Sequence, residues 1–479
     1  MSTRLGVDSY ANDTVQGNVK QEKQVHGISV SSKEVDTGAQ LVAGLSTNID
    51  HSESLRIRLG TIFYISYLVF EYPQNLALQK FPVGKWMSIN ILVWGICLCS
   101  HAACKNFAGL FVVRFIMGAC EGSITAGFMI VSSMFYTRNE QTLRIGYWYL
   151  MNGAAQIITG FISFGSLHIH TTSFEPWQWL VVITGAMTLV TAVVYWFFFP
   201  DSPTNAWFLK PDERVIAVHR LKENQTGVEN KYFKREQMME ALTDPKTWLF
   251  TLFAALDNIP NSLTNQRQII ISSLGFSDLQ TTLLTCVDGF VEITTIWTGV
   301  IIAARVVNGR AYTGAIYYMP PLLGVLLIEF LPWSDEVGLL FGIWLTGISI
   351  TGFVLSLSWI TSITAGHTKR VTMNAMILIG YGVGNAAGPF MWEAKYKPRN
   401  HIPWIVIGIC YLICPILLLV IRYLLWQENK RRDAEPVVET DSEFFIECVS
   451  GDGARVQMKV DKEYLDMTDV QNRDFRYVL

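Results

Sequence analysis

Apolar runs of 18 or more residues recur along the whole chain, and no other feature limits the fold as strongly. A run of that length crosses roughly 30 Å of hydrocarbon as a helix. Lipid leaves the backbone only helices and closed barrels as spanning structures. Eleven candidate spans are found, at 58–79, 85–104, 107–136, 143–168, 177–199, 246–271, 279–304, 312–332, 337–363, 371–391 and 402–426. Half of the 479 residues are hydrophobic and only 16% are charged, too small a charged surface for a soluble chain of this length. An all-α polytopic membrane protein is expected.

Five candidates precede a polar segment and six follow it. This divides the chain into a polar N-terminal tail (1–57), a first bundle (58–199), a central loop (200–245), a second bundle (246–426) and a C-terminal tail (427–479). Basic residues set the orientation. Lys80 with Lys85, Arg138 with Arg144, the central loop, Arg305 with Arg310, Lys369 with Arg370 and the "ENKRRD" after the last span all fall on one side, which is therefore cytoplasmic. One outer link, with Lys395, Lys397 and Arg399, breaks the rule. Counting back through eleven crossings puts the N-terminus outside, so the first bundle is expected to lack one helix of a six-plus-six arrangement. In the C-terminal tail, "EFFIECVSGDGARVQMKV" suits a hairpin around Gly451–Gly453.

Several function classes drop out. A net charge of -3 with no basic block gives nucleic acid nothing to bind. Seven of the eight cysteines lie in or beside apolar runs, and none has zinc-like spacing with histidine. Walker A, dinucleotide and catalytic-triad patterns are missing, so ATP hydrolysis within the chain is excluded as an energy source. No enzymatic activity, metal or cofactor is expected.

The residues that do not belong in hydrocarbon are the informative ones. In "RFIMGACEGSITAG", Arg114 and Glu121 lie seven residues apart in one span. That is 700° of helix rotation, so they share a face about 10 Å apart along the axis. A charge at such depth costs on the order of 3 kcal/mol or more and marks a polar cavity or pathway. Arg114 suits a substrate anion through bidentate pairing with carboxylate. Glu121 suits a proton carrier, able to be neutral or charged as its surroundings change. The alternative is an ion pair that only fixes packing. Gly118, Ala119, Gly122, Ala126 and Gly127 around them allow close helix approach.

Weaker signals are Glu71, Glu329, and Asp288 with Glu292 one turn later. Asp257 sits in "LDNIPNSLTNQ", which breaks a helix at Pro260 and presents Asn258 and Asn261; broken helices at mid-membrane often line sites. Asn385 and Gln156 occupy similar places in the two halves, as packing glue or as substrate contacts.

Several stretches resemble the fungal allantoate permease group, of the anion:cation symporter family of the major facilitator superfamily. They are "FEYPQNLALQKFPVGKW", the run from Val112 to Ile157, "FFFPDSPTNAWFL", "EALTDPKTWL", "AGHTKRVTMNAMILIGYGVGNAAGP" and the end "DMTDVQNRDFRYVL". The resemblance implies twelve helices in two six-helix bundles, alternating access and proton-driven uptake of a small organic anion such as allantoate or nicotinate, in the plasma membrane, by a monomer. It assigns Arg114, Tyr67, Gln156, Asn258, Asn261 and Asn385 to the substrate and Glu121 to the proton. Three departures stand out: the family's first helix is absent, Ala304 precedes Arg305 where an acid is usual, and "SLTNQRQ" on the seventh helix stands where relatives are glycine-rich. A truncated relative that does not transport and an exporter of a fungal metabolite are the alternatives.

Overall fold

The computed structural model describes residues 53–166, 168–169, 174–221, 232–397, 399–435, 444–449, 455–460 and 466–479. The expected N-terminal tail up to residue 52 lies outside them. Helices occupy all eleven expected ranges. The first group is α1 (Glu53–Lys80), α2 (Val83–His101), α3 (Phe107–Phe135), α4 (Arg138–Tyr149), α5 (Met151–Ser166) and α6 (Pro176–Phe198). Two short helices, α7 (Pro211–Arg220) and α8 (Arg235–Thr243), belong to the central loop. The second group is α9 (Pro245–Asn258), α10 (Leu263–Ser273), α11 (Asp278–Arg305), α12 (Arg310–Ile316), α13 (Met319–Phe330), α14 (Glu336–Thr346), α15 (Ile350–Ile363), α16 (His367–Ala387) and α17 (His401–Ala434). The expected hairpin forms: β1 (Phe444–Val449) pairs antiparallel with β2 (Arg455–Val460), and its turn lies outside the described residues.

Four of the eleven expected spans are built from broken pieces. Pro260 opens a 3-10 turn, Pro260–Ser262, between α9 and α10, because proline has no amide hydrogen to extend the helix ladder. Another such turn, Gly347–Ser349, joins α14 to α15. Among the described residues, seven helices are long and apolar enough to cross a membrane. The four ranges that fall short, held by α1, α4–α5, α9–α10 and α16, are shorter in unbroken length or carry Glu71, Asn152, Gln156, Asp257, Arg267 and Asn385. Three of them are also where the two groups of helices meet: α1 packs on α16, and α4–α5 pack on α11. Polarity is placed inward. On α17, by contrast, Ile405, Ile409, Leu412, Ile416 and Tyr423 form an exposed apolar stripe that suits lipid.

The exception to the charge rule has a structural use. Arg399 Nη2 donates to the carbonyls of Ile328 (3.1 Å), Glu329 (2.6 Å) and Leu331. These are the orphan carbonyls at the end of α13, where a cation is favoured.

At the basic end the two groups close on each other. Arg370 Nη1 donates to Ser133 Oγ (3.0 Å), Gln79 Nε2 to Thr368 Oγ1 (3.1 Å) and Ser362 Oγ to Gln141 Oε1 (3.4 Å). The last residues of the chain brace this end. Asp469 is fully buried, with Lys369 at 2.8 Å from one carboxylate oxygen and Lys246 at 2.8 Å from the other. The Tyr477 hydroxyl donates to Asp469 at 2.6 Å, and Arg432 Nη1 caps the carbonyls of Asp469 and Phe475. Trp359 Nε1 donates to the Val478 carbonyl at 2.7 Å.

Burial alone would raise the Asp469 carboxyl, but Lys246 and Lys369 outweigh it and hold it well below the usual carboxylate range. Folding therefore favours the charged form. This contribution is present above the ordinary carboxylate pKa of about 3.9 and fades as pH falls below it. Asp469→Asn is expected to cost on the order of 3 kcal/mol of docking, since it leaves buried lysines short of a counter-charge. Tryptic cleavage at Arg473 should be slow in the native protein at both about pH 7.5 and about pH 5, and fast in the variant. Equal cleavage of the two would contradict this account.

Candidate functional site

Glycine spacing determines which side chains meet at the centre. A Cβ on Gly118 would lie 2.2 Å from the Phe63 carbonyl, and one on Gly122 would lie 2.7 Å from Glu71 Oε2. The glycines expected to serve packing thus admit α1 against α3. The Ser66 hydroxyl donates to the Phe115 carbonyl in the same contact. This close approach brings Glu71, Tyr67 and Glu121 to one place.

Glu71 is fully buried, and its Oε1 accepts from Asn75 Nδ2 at 2.7 Å. Its Oε2 and the Oε2 of Glu121 are buried with no close hydrogen-bond partner among the described residues, although the Tyr67 hydroxyl is directed at the Glu71 carboxyl as a donor. The two carboxyls are close enough to act on each other, and Glu121 also acts on Tyr67, Tyr149 and Tyr381. The rings form a continuous set. Tyr67 lies 5.7 Å from Tyr381, Tyr381 stacks on Phe353 at 5.6 Å, and Phe353 meets Tyr149 edge-on at 6.2 Å. Helices α1, α4, α15 and α16 supply them, two from each group. The site is thus two carboxyls facing an aromatic wall in the seam between the groups.

Arg114 lies further along α3 toward its outer end, close enough to His101 at the end of α2 to act on it electrostatically. It is half-buried. The seven-residue spacing expected from sequence separates it from Glu121 by two helical turns.

The three asparagines are brought together in the second group. Asn261 Nδ2 donates to Asn385 Oδ1 at 2.7 Å, and Asn385 Nδ2 donates to Asn258 Oδ1 at 3.3 Å. Close packing of α16 on α9 makes this possible: Cβ atoms on Gly380 and Gly384 would lie 2.3 and 2.2 Å from the carbonyls of Thr251 and Ala255. In this form the amides largely satisfy one another. Gln156 does something else. Its Nε2 donates to Glu292 Oε2 at 2.6 Å, and Asn152 Nδ2 donates to Glu292 Oε1 at 2.7 Å.

Two acids of the second group have partners that the linear sequence does not show. The Tyr318 hydroxyl donates to Asp257 across 61 residues. Arg267 Nη1 lies 2.9 Å from Asp288 Oδ1. Sequence reasoning missed Tyr149, Tyr381 and Phe353. Tyr381 sits inside "GYGVGN", a lone aromatic flanked by alternating glycines, and that pattern was a usable signal. Of the described cysteines, all seven are free, and no group of three or more His, Cys, Asp or Glu among the described residues could hold a metal.

Residues 39–389 match the family model described as Major Facilitator Superfamily. A thiamine pathway transporter of Saccharomyces cerevisiae is 34% identical over 422 residues, covering 88% of this chain and 77% of that protein. The allantoate permease of the same yeast is 29% identical over 459 residues, 93% of this chain and 82% of that protein. Among solved structures, a proton:xylose symporter superposes with a TM-score of 0.63 at 12% identity, covering 83% of this chain and 92% of that one. That likeness is one of fold.

The seam between α4–α5 and α11 tests the packing argument. A Cβ on Gly153 would lie 2.7 Å from the Gly289 carbonyl, whereas one on Gly165 would meet nothing within 4 Å. Gly153→Val is expected to cost about 1–3 kcal/mol through overpacking and to lower the apparent melting temperature of the purified protein. Gly165→Ala should leave it unchanged. Equal melting temperatures for both variants would remove the seam as a packing constraint.

Proposed function

The chain belongs to the Major Facilitator Superfamily, a multi-pass membrane transporter like its relatives, and on that premise we propose that it takes up a small organic anion together with protons. The observation that carries this reading is the pair of buried carboxyls, Glu71 and Glu121, each with an oxygen lacking a close hydrogen-bond partner among the described residues. A carboxyl buried between two helix bundles without a fixed cation is a group whose charge follows its surroundings. A proton-driven carrier needs such a group. Glu121 fills that role, with Glu71 beside it.

Arg114 supplies the complementary element. One guanidinium on the same helix as the proton site lets anion binding and protonation influence each other through a shared field. Tyr67, with Tyr149 and Tyr381, forms the wall against which a flat carboxylate would rest. Asn258, Asn261 and Asn385 offer amides on the second bundle next to Tyr381, and Gln156 offers one from the first bundle, where it meets Glu292. Allantoate and nicotinate are the first candidates, from the similarity to the allantoate permease. The plasma membrane is the proposed location, and the monomer the proposed unit.

Uptake of radiolabelled allantoate or nicotinate into cells expressing the chain should rise as external pH is lowered. Arg114→Ala should raise the half-saturating concentration at least about tenfold, the equivalent of losing one charge-assisted contact of ~1.5 kcal/mol. Glu121→Gln should abolish the response to external acid. Uptake that ignores pH and tolerates both substitutions would overturn the proposal.

A further inference from the structure

Of the buried carboxylates outside the proposed site, Asp257 and Asp288 find partners within the second group, whereas Glu292 is held from across the seam. Glu292 is 5% exposed and lies at the middle of α11. Both of its oxygens accept amide hydrogens from the opposite group of helices, from Asn152 at 2.7 Å and Gln156 at 2.6 Å. These are the two ends of one turn of α5. No other carboxylate among the described spanning residues is held this way, by two donors from across the seam.

The seam itself is unusually close. Cβ atoms on Gly146, Gly153 and Gly160 would lie 2.5 Å from Val300, 2.7 Å from the Gly289 carbonyl and 2.6 Å from Cys286 Sγ. The three glycines recur at a spacing of seven, so one face of α4–α5 lies against α11 over its whole length. Glu292 and its two amides form the polar fastening on an otherwise smooth contact. This seam and the packing of α1 on α16 are the two lines along which the groups can move against each other.

We propose that Glu292 is a proton-carrying latch between the two bundles. Charged, it accepts from both amides and holds α5 to α11. When it binds a proton, the oxygen that carries the hydrogen becomes a donor facing an amide donor, so one of the two bonds is lost and the seam loosens. No bond other than O–H forms, and the proton returns to water when the latch recloses. The groups facing it are Arg267 from α10, Asp288 one turn earlier on α11 and Tyr149 from α4. Arg267 is already engaged by Asp288, which leaves Glu292 to the amides. Tyr149 faces Glu121 as well as Glu292, so the latch and the proposed proton site share a neighbour. This inference rests on the reading that the chain works by moving its two bundles against each other.

The test needs no substrate. Spin labels are placed at Phe161→Cys and Leu283→Cys, both exposed and in the outer thirds of α5 and α11, in the full chain with its native cysteines replaced. The label distance is read by double electron–electron resonance at about pH 7.5 and about pH 5, a range chosen to span perturbed carboxyl titration. The latch predicts one short population at the higher pH and a second, longer one at the lower. Glu292→Gln should show the longer population at both, and so should Asn152→Ala combined with Gln156→Ala. A distribution that does not change with pH in the otherwise native chain, or a Glu292→Gln chain that still responds, would overturn the latch. Because no anion is added, a pH-responsive seam beside flat anion uptake would discard the symport reading and keep the latch. The converse result would do the reverse.

Discussion

A charge in hydrocarbon is costly, on the order of 3 kcal/mol or more, and the arrangement of the helices follows from where this chain puts its charges. Arg267 is neutralised by Asp288, Asp257 takes the Tyr318 hydroxyl, and Glu292 takes two amides. Each of these pairs draws a helix of lower apolarity toward the centre, while the uniformly apolar helices turn outward. Glu71 and Glu121 each keep a buried oxygen without a close hydrogen-bond partner among the described residues, as do Asp288, whose charge is met by Arg267, and Glu329.

Glycine makes this arrangement geometrically possible. Three crossings depend on it: α1 on α3 at Gly118 and Gly122, α16 on α9 at Gly380 and Gly384, and α4–α5 on α11 at Gly146, Gly153 and Gly160. In lipid, helix association gains little from apolar burial and depends on close backbone approach and on polar contacts between helices. Here the two coincide. The glycine crossing of α16 on α9 sets the asparagine relay, and the crossing of α5 on α11 sets the Glu292 clamp.

Much of this was legible in the sequence, for stated reasons. Helix existence followed from run length, and Arg114 and Glu121 stood out because apolar surroundings make a charge conspicuous. The break at Pro260 followed from proline's missing amide. The hairpin of β1 and β2 was visible in alternation around two glycines. What remained hidden was pairing across distance. Nothing near Asp257 points to Tyr318, and nothing near Asn152 points to Glu292 140 residues away. The polar end of the chain looked like a free tail, because Asp469 is conspicuous only once Lys246 and Lys369 are known to converge on it. Gln156 and Asn385 looked alike in sequence, yet one spans the seam and the other stays within the second bundle.

The central claim is that an anion and a proton move together through the site around Glu121. It is tested most directly by reconstituting the purified chain into unbuffered lipid vesicles with no pH gradient and adding nicotinate or allantoate outside. The account predicts that the external medium turns alkaline as the anion enters, in step with its uptake. Anion entry with no change in external pH would contradict it.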